Sequence, residues 1–389
     1  MPYLDHAATS PMVQASIDAM DSAFRIVGNA SALHSAGRNA RRVVEESRER
    51  IAGAVGCLPG EVVFTSGGTE ADNLAIKGLF WSRNASGARR PRILVSAVEH
   101  HAVLDPTLWL ARSQGAVIEE IPVDSHGVLD VEALRAAVAK DPSDVALMSA
   151  MWANNEVGSL QPVEEVVGIA REFGIPVHSD AVQALGSEPL RFADRGLAAM
   201  TISAHKVGGP IGIGALILQR DLKPVPVLHG GGQEREVRSG TIPMPLIAGM
   251  AAAVDAVVSD RDATRERISS LRDRLVAGVL DLEIGAVLRG HPVNRLPGNA
   301  HFTFEGCEGD ALLMLLDAEG VQVSTGSACT AGIPQPSHVL LAMGVSEAAA
   351  RGALRFSLGG STTAEDVDAA IAALPGAVER ARRAGMIRR

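Results

Sequence analysis

Lysine is nearly absent from this chain. Of 36 basic residues only four are lysines, Lys77, Lys140, Lys206 and Lys223, so chemistry that needs an alkyl amine has four candidates. Cysteine is as sparse. Cys57, Cys307 and Cys329 lie far apart and form no CxxC pair, which argues against a disulfide framework and a zinc site and fits a reducing compartment. Aromatics are 3% of the chain, so its core is aliphatic. No apolar run is long. Leu246 to Val258 is interrupted by Asp255 and too short to cross a bilayer. The opening MPYLDHAATS lacks the basic-then-apolar pattern of a signal peptide. A positive balance is missing too. The net charge of −9 argues against direct nucleic-acid binding, which needs a positive face, and the locally basic Arg380 to Arg389 reads as a solvated helix end. A cytoplasmic protein with no membrane attachment is expected.

What is present is 389 residues, enough for two domains with their own cores. From about residue 15 to 255 short β-branched runs alternate with helical patterns. Arg38 to Val55 and Glu70 to Trp81 read as helices. Val62 to Phe64, Ile93 to Val95, Val117-Ile118, Val145 to Met148, Ile175 to His178, Met200 to Ile202 and Ala215 to Leu218 read as strands. That series predicts an α/β domain with a largely parallel sheet covered on both faces. One long helical pattern follows, from Leu246 to Leu282, and then a smaller α+β domain ending in a helix over Ala364 to Ala384. The expected division is a large domain over 15–255 and a small one over 1–14 and 256–389.

Ligands of parallel sheets bind beyond the carboxyl ends of the strands, so the residues after each strand are the candidates. Thr65-Ser66-Gly67-Gly68-Thr69-Glu70 opens a helix, whose free N–H groups suit a phosphate; an ordinary capped turn is the alternative. Glu99-His100-His101 supplies an imidazole able to stack on a flat ligand or move protons, and a solvated loop histidine is equally compatible. Asn154 and Asn155 suit a polar ligand or plain turn chemistry. Asp180 ends an apolar run, where a carboxylate needs a partner such as a protonated ring nitrogen, unless it is a helix cap. Lys206 is the only lysine directly after a strand in a glycine-rich turn, a setting in which an amine can form a Schiff base. Lys77, Lys140 and Lys223 read as surface. An anion cradle, a stacking histidine, an acid and an amine together are what pyridoxal 5'-phosphate requires.

Six segments, in this order and spacing, resemble the cysteine desulfurases of the NifS/IscS group, fold-type I pyridoxal-phosphate enzymes of the class-V aminotransferase family. They are TSGGTEADN (Thr65 to Asn73), NNEVG (Asn154 to Gly158), HSDAVQ (His178 to Gln183), SAHK (Ser203 to Lys206), RSGT (Arg238 to Thr241) and STGSACTAGIPQPSHVL (Ser324 to Leu340). The resemblance runs from Leu4 to Gly359 and implies a mainly parallel seven-stranded sheet in the large domain, with the small domain carrying the Cys329 loop and Arg355. It implies that Lys206 bonds the cofactor and later moves protons, that His100 stacks on its ring and serves in acid–base steps, that Asp180 pairs with the ring nitrogen, and that Gln183 bonds the ring hydroxyl. Gly68, Thr69, Ser203 and His205 then hold the phosphate, and Thr241 reaches the phosphate of the other subunit of a homodimer. Asn155 and Arg355 clamp the carboxylate of L-cysteine, and Cys329 takes its sulfur as a persulfide, leaving L-alanine. A sulfur-acceptor protein is implied, serving iron–sulfur cluster assembly or thiolation of RNA or DNA; no resident metal is expected. The small residues around Cys329 suit a mobile, ionisable thiol, whereas Cys57 and Cys307 sit in turns without a chemical partner. Two alternatives remain: aminotransfer or β-elimination on the same fold, against which Cys329 argues, and an inactive sulfur-relay platform, against which Lys206, Cys329 and Arg355 together argue.

Overall fold

The computed structural model describes residues 1–85, 87, 89–326 and 335–387; Cys329 lies outside the described residues. Helices α1 (Gln14–Phe24) and α2 (Ser35–Val55) come first, followed by β1 (Val62–Thr65) and α3 (Gly68–Asn84). Then strand and helix alternate: β2 (Arg92–Ser96), α4 (His101–Gln114), β3 (Val117–Ile121), α5 (Val131–Lys140), β4 (Val145–Ser149), α6 (Val163–Glu172) and β5 (Val177–Asp180). A short α7 (Phe192–Arg195) precedes β6 (Ala199–Ser203) and β7 (Gly214–Leu218). The seven strands form one sheet in the order β1-β7-β6-β5-β4-β2-β3. Pairs β2–β3, β2–β4, β4–β5 and β5–β6 are parallel, and β7 runs antiparallel to both neighbours. Strands buried on both faces read as continuous apolar runs, which is why all but the edge strand β3 were plainly legible. β5 begins two residues later than the sequence suggests and reaches Asp180. Pro176 has no N–H to give a ladder, so pairing starts after it.

The pattern from Leu246 to Leu282 is not one helix. It splits into α8 (Met244–Ser259) and α9 (Arg261–Asp281) at Asp260, whose backbone leaves the helical region at φ −114°, ψ 19°. Ser259 and Asp260 compete for backbone hydrogen bonds and favour a break. The two helices then serve different cores: α8 packs on α1 and α2, and α9 on α13 (Ala364–Ile387).

A second sheet has the order β10-β9-β8, from β8 (Ala286–Arg289), β9 (Asn299–Phe304) and β10 (Ala353–Ser357). Between β9 and β10 lie α10 (Gly309–Ala318), α11 (His338–Ala342) and α12 (Glu347–Ala350). Alternation along these strands sorts the side chains. Leu288, Phe302, Leu354 and Phe356 join a buried cluster with residues of α9, α10 and α13. The other face carries Arg289, His301 and Arg355 in one cross-strand row. The first residues of the chain tie this sheet to the large one, bridging Asp5 to Ser357 while Ser10 N–H bonds the His205 carbonyl. No helix among the described residues is long and apolar enough to cross a membrane.

Candidate active site

The ends of β2, β4, β5 and β6 and the start of α3 converge on a cavity of about 370 Å³, with Arg355 reaching it from β10. Gly68, Thr69, His100, Asn155, Asp180, Gln183, Ser203, His205, Lys206 and Arg355 all line it. Of the residues singled out from the sequence, Thr241 is exposed and does not line this cavity, and Cys329 lies outside the described residues.

Lys206 follows β6 in a short 3-10 turn. Its Nζ donates to the carbonyls of Ala7 and Ala8 at 2.6 and 2.7 Å. Burial, helped by the Arg355 guanidinium, pulls its amine down to about 8. Lys140 and Lys223 are exposed, and Lys77 lies 4.6 Å over the Trp109 ring, so none of the other three amines approaches this cavity.

Asp180 ends β5. Its Oδ1 accepts from Val182 N–H at 2.9 Å, a turn contact, and the carboxyl faces the cavity without an arginine or lysine bonded to it. Burial and the Asp72 carboxylate push it up to about 6. A cation placed against it would reverse that shift. His100 caps α4: Ala102 N–H donates to its Nδ1 at 3.0 Å, so the neutral ring carries its proton on Nε2. Burial lowers its pKa.

The start of α3 is built for an anion. Its N-cap is Gly67, with no side-chain cap, rather than Thr69, which lies within the first turn. Gly67 has φ +154° and ψ −179°, a conformation essentially reserved for glycine. Ser203 Oγ is buried with no hydrogen-bond partner. His205 is lowered to about 4 by burial and by Lys206, so it offers a neutral ring. An uncapped helix N-terminus beside an orphaned hydroxyl is a fitting phosphate cradle.

Arg355 is fixed from two sides. Nη1 donates to the Asn155 carbonyl at 2.9 Å and Nη2 to Asp5 Oδ1 at 2.9 Å, while Nε is buried without a partner. Asn154 proves to be turn chemistry, accepting from the N–H groups of Glu156 and Val157, whereas its neighbour Asn155 lines the cavity. Gln183 donates to the Ala7 carbonyl at 2.9 Å. Cys57 is pushed up to about 12 by burial, and burial also raises Cys307, so neither thiol ionises readily.

Sequence reasoning missed several participants. Asp5, Ala7 and Ala8 hold Arg355 and Lys206 from the N-terminal segment. Asp72, Glu156 and His338 line the cavity, and Glu99 and His178 are buried nearby. Asp72, Glu156, His178 and His338 sit inside the quoted motifs, but a linear pattern does not reveal which side chain is buried.

The Aminotransferase class-V family matches over residues 2–370. An IscS-like cysteine desulfurase of Mycobacterium tuberculosis is 55% identical, covering 99% of this chain and 98% of that one. A solved structure of a NifS-like protein superposes with a TM-score of 0.88 at 34% identity, covering 97% and 98% of the two chains. Another, described as SspA in complex with cysteine, gives a TM-score of 0.79 at 31% identity over 93% of this chain and all of that one.

Proposed function

This chain belongs to the aminotransferase class-V family and is a pyridoxal-phosphate-dependent cysteine desulfurase, and we propose that the residues around Lys206 carry out that reaction on L-cysteine. The observation that carries the reading is the convergence of Lys206, Asp180 and Arg355 on one cavity beside an uncapped helix N-terminus. The residues fit the cofactor. Ser203 Oγ lacks a partner, the first turn of α3 offers free N–H groups, and Asp180 is a buried acid with no cation bonded to it. Gly68, Thr69, Ser203 and His205 would hold its phosphate, Asp180 its ring nitrogen, Gln183 its ring hydroxyl and Lys206 its aldehyde. When bound, it supplies an electron sink for charge developing on the substrate.

This chain's own groups do the rest. The Lys206 amine, held near 8, is available both to bond the aldehyde and to carry a proton at Nζ. His100, whose proton sits on Nε2, would stack on the cofactor's ring and exchange a proton there. Arg355 and the Asn155 amide receive the substrate carboxylate; a guanidinium fork suits it. Cys329 is the acceptor of the sulfur. In the net reaction L-cysteine and the Cys329 thiol give L-alanine and the Cys329 persulfide, with every atom accounted for. We assign the protein to the cytoplasm as a homodimer in which Thr241 of each subunit serves the other's phosphate. Its persulfide passes to an acceptor protein of iron–sulfur cluster assembly or of RNA or DNA thiolation. Borohydride reduction followed by peptide mass mapping tests the cofactor assignment: the mass of the reduced cofactor is expected on the peptide containing Lys206, and finding it on another lysine contradicts the reading.

A further inference from the structure

Around Asp180, at the cavity floor, lies a buried polar layer whose other members the proposed reaction does not use. His178 and Asp180 are two apart on β5 and so face the same side of the sheet. Ser149 on β4 is the register partner of His178, and Thr201 on β6 is that of Asp180. Helix α3 packs over this patch and brings Asp72 onto it, while Glu99 enters from the turn after β2. All six residues are buried, Asp180 the least so at 7% exposure.

Three of these groups form a run. Ser149 Oγ lies 3.0 Å from His178 Nδ1, and Thr201 Oγ1 lies 3.0 Å from His178 Nε2. Glu99 lies beside Ser149 at one end and Asp72 beside Thr201 at the other. Glu99 Oε1 also accepts from Met151 N–H at 2.6 Å. Yet Asp72 Oδ1 and Glu99 Oε2 are buried without a hydrogen-bond partner, and Asp72 Oδ1 comes no nearer to the imidazole than 3.4 Å. Among the described residues neither acid is ion-paired with an arginine or lysine.

Three carboxyls packed this closely do not all stay ionised, because burial and mutual repulsion both favour the neutral form. Asp180 is the one with an amine, Lys206, across the cavity, and it alone accepts a bond from its following turn. Besides one another and Asp180, the polar neighbours of Asp72 and Glu99 include hydroxyls, an imidazole and a backbone N–H. A neutral imidazole has one donor and one acceptor, and a hydroxyl serves as either. Hydrogens can therefore line up through the middle of the layer, Ser149 to His178 Nδ1 and His178 Nε2 to Thr201, without any charged group. The reverse order works equally well. Burial lowers His178 to about 4, which keeps its ring neutral.

We propose that burial against the uncharged Ser149–His178–Thr201 run, with no arginine or lysine paired to them, holds Asp72 and Glu99 protonated, making them positioning residues that leave Asp180 as the only charged carboxyl on this floor. One negative charge, placed where a cationic ring nitrogen binds, is the result. The proposal rests on the reading of Asp180 as the acid for that nitrogen. Asp72, raised to about 7 chiefly by burial, is protonated below that pH and ionises above it. The groups facing it are His178 and Asp180 on β5, Thr201 on β6 and Glu99 beyond β2.

Infrared spectroscopy of the cofactor-free protein, labelled with ¹³C at the side-chain carboxyl of either aspartate or glutamate, tests this directly. A protonated carboxyl has a carbonyl stretch that a carboxylate lacks. Just below neutral pH we expect one aspartate band, lost in Asp72→Asn and fading as pH rises past about 7, and a glutamate band lost in Glu99→Gln. Absence of the aspartate band from the labelled wild-type protein overturns the proposal without recourse to any variant. Equilibrium binding gives a second readout. Asparagine mimics a neutral acid, so Asp72→Asn should bind pyridoxal 5'-phosphate within about twofold of wild type, whereas a loss of about tenfold or more would mean that Asp72 is needed as an anion. The bands are read without cofactor, so a wrong role for Asp180 would leave them in place.

Discussion

Lys206, Ala7, Val182 and Gln183 form a wall between two cavities. One, about 520 Å³, runs between Pro11 to Val13, the end of α8 and the turns near Leu296 and Leu358, and most of its lining is apolar. The other, about 370 Å³, is the smaller, and it gathers Asp180, His100, Arg355 and the start of α3. Size alone would choose the first. What separates them is convergence: only the second brings groups of opposite charge from several strand ends onto one small volume, and perturbed titrating groups cluster where chemistry is done. The larger cavity has Asp260 and Arg265 on its walls, but Asp260 is occupied with Thr264 and Arg265 with Glu188.

The comparison predicts where substitutions hurt. The largest effect belongs to the shared wall. Lys206→Ala should lower kcat about 10⁴-fold, because it removes the amine proposed both to bond the aldehyde and to carry a proton; steady-state alanine formation measures it. On the polar side, Arg355→Ala should cost about 100-fold in kcat/KM for L-cysteine, mostly through KM, as expected from losing charged hydrogen bonds to a carboxylate. Arg355→Lys should restore little of it, since an ammonium lacks the fork. Acidity comes next. With the Lys206 amine at about 8, capture of the cofactor by the cofactor-free protein should speed up about tenfold per pH unit below that value and level off above it, followed by stopped-flow absorbance. The sign follows from a depressed amine pKa: the neutral, nucleophilic form grows as pH rises through it. The smallest effect belongs to the apolar side. Thr264→Val, on its far wall, should leave kcat/KM within about twofold. A larger loss there would break the contrast between the cavities.

Much of this site was legible in the sequence because one rule did most of the work. In a parallel sheet the ligand lies past the strand ends, and Gly68, His100, Asp180 and Lys206 were found by reading those positions. Arg355 was different. Its place depends on β10 pairing with β9 and on Asp5, 350 positions away, so only the resemblance to a known family connected it to the others. The Ala7 and Ala8 carbonyls are backbone groups and leave no trace in side-chain patterns. Asp72, Glu99 and His178 stood in plain view within or beside the motifs, but their meaning lies in burial and pairing, which no spacing encodes. The split of the helical pattern at Asp260 was missed for a related reason: periodicity stays continuous across a break whose cause is that α8 and α9 pack against different cores.

The central claim is that sulfur leaves L-cysteine for a protein thiol, and one measurement tests it most directly. Wild-type protein and Cys329→Ala are given L-cysteine and a reductant, and sulfide, alanine and pyruvate are quantified while the visible spectrum of each is recorded. The account predicts that both proteins show the yellow band of bound cofactor, that wild type releases sulfide and alanine in equal amounts, and that Cys329→Ala releases neither. If Cys329→Ala releases sulfide as fast as wild type, with pyruvate in place of alanine, the thiol is not the acceptor and the protein is a β-elimination lyase.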